Sequence, residues 1–247
     1  MYNLYDMIFK RKSFRRFDDS LSLSSEELQK IQQHLKILVP LLDDVKIKYR
    51  IVKRQETSCK RGEYCLLVYS EEKENCLINI GYTLEQLDLW LASQNIGVCW
   101  YGVGKTDKLQ YDGLDYVIML AFGKARPEEF RKDYTKAKRK ELEIIWSGEH
   151  ITNVTNVVGF APSACNSQPW RVVHENQLIR IFRSTEVKSI FPKERLLLYN
   201  CIDMGIFLYF MELALRQEQY RFERILSEKE SSNEKEIEIA QYNVYKV

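Results

Sequence analysis

The sequence has 247 residues, 45% of them apolar, enough to bury a substantial core in one large domain or two small ones. Its 37 lysines and arginines against 35 aspartates and glutamates leave a formal charge of only +2, far from the footprint of a dedicated nucleic-acid binder. The six cysteines lack any Cys-x-x-Cys pair and the three histidines stand apart from them, so neither a metal site nor a disulfide framework is expected. No apolar signal core lies between Met1 and Phe17, and the chain reads as cytoplasmic, with reduced thiols.

The first feature along the chain is Arg11-Lys12-Ser13-Phe14-Arg15, followed by Arg16. Arg11, Ser13 and Arg15 are two apart, so an extended segment projects them to one face. Two guanidinium forks and a hydroxyl on one face suit a phosphate dianion. The plain alternative is a solvated basic tail, against which stand Phe9, Phe14 and Phe17, since disordered arms are poor in aromatics. Read as a contact for an anionic polymer, the cluster predicts salt-sensitive nucleic-acid binding, which the small net charge disfavours.

Apolar periodicity then predicts a helix over 25–38, a turn at Pro40, strands over 49–52 and 65–69, a long helix over 78–94 and a strand over 116–122. Residues 126–145 are rich in charge, contain Pro127 and read as a surface connector between a first half, 1–125, and a second, 146–247. The second half predicts a helix over 151–158, a turn at Pro162, strands over 170–173 and 178–182, a long helix over 199–216 and a closing strand over 237–245. Residues 196–215 approach a membrane span in length, but Asn200, Asp203 and Glu212 inside them favour a central core helix, and no membrane partner is expected. The serine-rich, charged stretch 227–235 reads as an exposed loop.

The two halves echo each other. Ile80, Leu84, Leu91 and Ala92 recur 122 positions later as Ile202, Ile206, Leu213 and Ala214, and the same offset carries Pro40 onto Pro162. Each half keeps what the other lacks. Only the first opens on the basic cluster, and only the second has Ala161-Pro162-Ser163-Ala164-Cys165-Asn166-Ser167-Gln168-Pro169-Trp170. Two prolines stiffen that segment while small residues keep it thin, so its backbone and the Ser163 and Asn166 side chains can approach a planar ligand. An ordinary polar turn entering a strand, with Trp170 as a core anchor, explains the same residues. The Gly-punctuated run Gly97 to Gly104 after the first long helix lets main chain pass against a ring system. It has neither the strand-turn-helix setting of a dinucleotide fingerprint nor the upstream glycine of a triphosphate loop.

Together, the Arg-x-Ser-x-Arg opening, the Ala-Pro-Ser-x-x-Asn-x-Gln-Pro-Trp segment and the Gly-x-x-x-Trp-x-Gly run resemble the FMN-dependent nitroreductase family over most of the chain. The resemblance is to the subgroup in which one polypeptide supplies both halves of the usual homodimer. It implies an α+β fold with a mixed sheet and the two long helices packed centrally in a pseudo-dimer. It implies one FMN per chain: Arg11, Lys12, Ser13 and Arg15 on the phosphate, helped by Lys138 and Arg139; Tyr101, Gly102 and Val103 near the ring; and Pro162, Ser163, Cys165 and Asn166 contacting the flavin from the other half. The implied activity passes hydride from NADH or NADPH through flavin to an electron-poor acceptor such as a nitroaromatic or quinone, with no catalytic acid or base named. A flavin-binding store or sensor without turnover is the alternative.

Overall fold

The computed structural model describes residues 4–187, 191–227 and 235–247, and the chain divides into two compact units, 1–135 and 136–247. The stretch 227–235 falls largely outside the described residues.

In the first unit, α1 (Leu4–Lys10) and α2 (Ser25–Leu35) precede β1 (Ile47–Lys53), β2 (Tyr64–Ser70), α3 (Cys76–Ser93), β3 (Ile96–Tyr101), β4 (Gln110–Tyr111) and β5 (Leu114–Lys124). α2 starts where Ser24 forms a capping box: its hydroxyl accepts from the Glu27 amide at 3.1 Å and Glu27 accepts from the Ser24 amide at 2.8 Å. The helix stops at Leu35 rather than at residue 38, because Ile37, Val39 and Pro40 disfavour another turn. α3 is buried on nearly every side from Ile78 to Ala92. The sheet runs β1-β2-β5-β3 with β4 on β5, all pairs antiparallel, and β2 is its buried centre from Cys65 to Ser70.

The second unit contains α4 (Leu142–Ile145), β6 (Trp146–Gly148), α5 (Thr152–Val158), β7 (Trp170–Glu175), β8 (Leu178–Ser184), α6 (Lys193–Gln217), β9 (Tyr220–Leu226) and β10 (Glu236–Lys246). Its sheet runs β6-β7-β8-β10-β9, with β6 parallel to β7 and the other pairs antiparallel. β6 ends at Gly148, whose φ is +86° and whose missing Cβ would fall 2.1 Å from the His174 carbonyl oxygen. Trp170 is fully buried at the start of β7 and stacks on Phe207 of α6 at 5.0 Å.

α6 is long and apolar enough to cross a membrane by length and composition, yet 78% of its most apolar window is buried within the protein. Its buried Glu212 accepts from Tyr242 Oη at 2.9 Å and from Arg216 at 2.8 Å, and pairs with Arg224. The charge inside the helix is thereby matched.

With β4 and β6 set aside, both units place strands in the same order: β1-β2-β5-β3 and β7-β8-β10-β9, the last of each being the strand that follows the long helix. That strand, β3 or β9, was not expected. The expected mixed sheet is resolved into two sheets, and among the described strands the parallel pair, β6 with β7, lies in the second. Residues 126–145 are more than an exposed connector, since Phe130 is buried against Phe14 with ring centroids 4.9 Å apart and Ile145 is buried in α4.

Candidate functional site

The basic opening follows directly on α1. Ser13 bridges Val98 of β3 in parallel, and the Phe14 amide donates to the Val98 carbonyl at 2.8 Å. Phe14 lies so close over Gly97 that a Cβ there would come within 2.5 Å of the ring. The close approach at Gly97 therefore serves an internal aromatic rather than a ligand.

Arg11 and Phe14 are buried along the opening, and the residues between and after them are half-buried or exposed. Arg11 is only 2% exposed, with Nη2 3.0 Å from Asp88 Oδ2 and Nε 3.9 Å from Glu85 Oε1 on α3. Burial, and Asp88 beside it, push Glu85 well above the usual carboxylate range, leaving Asp88 as the close counter-ion. Asp88 also accepts from Trp100 Nε1 at 3.1 Å. The shared face expected for Arg11, Ser13 and Arg15 is thus corrected: Arg11 is drawn inward by α3 carboxylates, whereas Ser13 and Arg15 are exposed and Lys12 is half-buried.

An open cleft of about 510 Å³ includes Lys12, Ser13, Arg15 and Arg16 with Glu128 and Glu129. Glu129 is engaged as acceptor of the Arg126 amide at 2.7 Å. Among the described residues no ion pair holds Lys12, Arg15 or Arg16. Lys12 rests over the Phe14 ring at 4.8 Å. In the same unit, β3 ends at half-buried Tyr101, under the Arg61 guanidinium at 5.2 Å, and turns through Gly102 and exposed Val103 by a Gly104 amide to Tyr101 carbonyl bond of 3.1 Å.

The second unit concentrates its backbone strain in one loop. Cys165, Asn166 and Gln168 have φ of 53°, 57° and 46°, the left-handed region that non-glycine residues avoid. Several contacts hold them there. The Ala164 amide donates to both Asp203 carboxyl oxygens at 3.0 Å, Ser167 Oγ donates to Asn200 Oδ1 at 3.0 Å, and the Gln168 amide donates to Ser163 Oγ at 3.0 Å. Pro162 and Ser163 are half-buried and Cys165 and Asn166 exposed, so the turn shows its backbone and small side chains to the surface.

Lys138 and Arg139 meet this loop. Arg139 donates to Asn166 Oδ1 at 2.8 Å and to the Phe160 carbonyl at 3.2 Å, and Asn166 Nδ2 donates to the Lys138 carbonyl at 3.1 Å. The Lys140 amide donates to Gln168 Oε1 at 2.9 Å and its Nζ to the Gln168 carbonyl at 3.0 Å. Burial, with Arg171 nearby, lowers Lys140 to about 8.

Glu85, Asp88, Lys140, Gln168 and Asp203 escaped the sequence reading as site-forming groups. Asp203 had a visible signal, a carboxylate in an apolar helix, but that signal was spent on excluding a membrane span. Burial raises Asp203 well above the carboxylate range, while the Ala164 amide and Ser167 oppose the shift. A carboxyl that keeps its proton in the folded state stabilises the fold at low pH and loses that contribution as pH rises from the unfolded-state value, ~3.9, through its raised native value. Asp203→Asn should therefore gain stability relative to the parent as pH rises. Urea unfolding at pH 5 and pH 8 checks the sign, and a difference independent of pH would contradict an acid-form Asp203.

A family model described as "Putative TM nitroreductase" matches residues 3–215. A crystal structure of a putative nitroreductase from Thermotoga maritima is similar over 98% of this chain and 94% of its own, at TM-score 0.65 and 18% identity, which shows a common fold. A nitroreductase family protein from Clostridium difficile aligns over 61% of this chain and 99% of its own at TM-score 0.45 and 15% identity. The search of curated proteins returns no match.

Proposed function

Because this chain belongs to the nitroreductase family described by that model and is accordingly an oxidoreductase, we propose that it binds one FMN and uses NADH or NADPH to reduce an electron-poor acceptor such as a nitroaromatic or quinone. The observation carrying the cofactor assignment is the cleft in which Lys12, Arg15 and Arg16 have no ion-pair partner among the described residues, beside the Ser13 hydroxyl. Unpaired cations with a hydroxyl suit the ribityl phosphate. When bound, FMN supplies the hydride chemistry.

The chain's own residues bind and orient. Lys12 and Arg15 neutralise the phosphate and Ser13 donates to it, on a segment fixed by its bridge to Val98. Arg11 anchors that segment from within through Asp88. The turn Tyr101, Gly102 and Val103 offers backbone to the ring. In the second unit the same reading assigns Pro162, Ser163, Cys165 and Asn166 as flavin contacts, on a loop whose left-handed residues are held by Asp203, Asn200 and Lys140. Arg139 orders Asn166 in that loop, and Lys138 remains a cation for the phosphate.

The common strand order supports reading the units as duplicates that stand in for two subunits. Among the described residues there is one basic opening and one loop of the 162–168 kind, so one flavin per chain is expected. Purified protein should be yellow or become so with FMN, release about one FMN per chain, and bleach anaerobically with NADH or NADPH before a quinone restores the colour. Two flavins per chain would overturn the single site, and a chain that cannot be loaded would overturn the assignment. Loading without bleaching would favour a flavin store or sensor.

A further inference from the structure

A second cluster lies in the first unit, with Tyr101 packed against its edge. Cys59 sits on the loop before β2 between exposed Ser58 and Lys60, itself only 4% exposed, and Cys65 is buried at the start of β2. Thr57 joins them: its hydroxyl accepts from the Cys59 amide at 3.0 Å and lies 3.6 Å from Cys65 Sγ. Both thiols are free and lie in one buried apolar cluster. Cys99 belongs to the same apolar cluster but is engaged by Arg61, whose Nη1 donates to its sulfur at 3.0 Å.

We propose that Cys59 and Cys65 are a peroxide-oxidisable dithiol that forms a reversible intrachain disulfide. The pair is asymmetric in a way that assigns the roles. The Cys65 thiol, by donating, brings Cys59 down to about 7 against its burial, with the Arg61 and Arg54 charges assisting. The Arg61 carbonyl, to which protonated Cys59 donates at 3.6 Å, is the opposing contact. Cys65 is raised correspondingly, by its bond to Cys59 and by burial. Cys59 is the attacking sulfur and Cys65 the resolving one.

The chemistry needs one equivalent of hydrogen peroxide. The Cys59 thiolate attacks one peroxide oxygen, the O–O bond breaks, and the departing hydroxide takes a proton to become water, leaving Cys59 as sulfenic acid. Cys65 gives up its proton and attacks the Cys59 sulfur; the S–O bond breaks and a second water leaves. Two electrons pass from the sulfurs to peroxide, so two thiols and one peroxide give one disulfide and two waters. An external dithiol reverses the bond by exchange and is itself oxidised.

The test uses the intact wild-type chain, treated with stoichiometric hydrogen peroxide, denatured in excess N-ethylmaleimide and digested with trypsin. Cleavage at Arg54, Lys60, Arg61 and Lys73 puts Cys59 and Cys65 in separate peptides, 55–60 and 62–73, each with one cysteine. The expected product is these peptides joined, lighter than their sum by two hydrogens and released by dithiothreitol. Cys99→Ser should keep the linkage and Cys59→Ser should lose it. The proposal is overturned if both wild-type cysteines are recovered alkylated, if Cys59 proceeds to sulfinic acid unlinked, or if either is joined to another cysteine instead.

Discussion

Replacing Lys12 and Arg15 together with alanine should raise the Kd for FMN about 100-fold while leaving the fold intact. Each side chain is assigned a charge-assisted bond to phosphate, worth about 1.5 kcal/mol, and about 3 kcal/mol in total corresponds to two decades of affinity. Neither side chain holds an ion pair among the described residues, so their loss breaks no salt bridge there. Fluorescence titration of the apoprotein with FMN measures the change, and the affinity of the parent should fall more steeply with added salt than that of the variant. An unchanged Kd would remove the phosphate from this cleft.

Asp88→Ala should be the most damaging single change in the first unit. It strips fully buried Arg11 of its 3.0 Å partner and Trp100 of its 3.1 Å acceptor. Glu85, held in its acid form by burial, is 3.9 Å from Arg11 and a poor replacement. Arg131 adds a like charge nearby, itself lowered to about 10 by burial and by Arg11. An unpaired buried charge costs about 3–5 kcal/mol, whereas replacing both partners by apolar residues of similar volume is often neutral or better. Urea unfolding of Asp88→Ala and of the double variant Arg11→Met, Asp88→Leu should therefore differ strongly, with the double variant the more stable. A loss below about 1 kcal/mol in the single variant would contradict the buried pair.

These experiments separate two kinds of arginine that look alike in sequence. Spacing alone gave Arg11 and Arg15 the same role, because two residues apart in a strand means the same face. What spacing could not contain was α3, which places Asp88 and Glu85 opposite Arg11. Tertiary electrostatics decided the assignment.

Long apolar elements were legible to within a few residues. The helix read at 78–94 is Cys76–Ser93 and the strand read at 65–69 is Tyr64–Ser70, because burial dictates their composition directly. α6 begins at Lys193, earlier than residue 199, since Pro192 rather than the apolar run sets its start. β3 was hidden by its own burial, an apolar run with a glycine and no alternation. β9 did alternate, from Tyr220 to Leu226, but followed the helix too closely to stand out. Both strands are released from their helices by a single left-handed residue, Asn95 with φ 57° and Gln219 with φ 61°. Asparagine there was a readable stop signal; glutamine was not. The 162–168 loop was legible in composition only, since its support comes from Asp203, 39 residues on from Ala164, and from Lys140, 28 residues before Gln168.

The stitching of Lys138, Arg139 and Lys140 to that loop also fixes where the second unit can be cut. A fragment starting at residue 146, where composition placed the boundary, would leave the Gln168 carbonyl, Asn166 and the Phe160 carbonyl without the donors that fold the turn back. A fragment starting at Lys136 retains all three. Insertions for grafting, tagging or circular permutation therefore belong before Lys138, and the eight residues 138–145 travel with the loop as part of its frame rather than as tether.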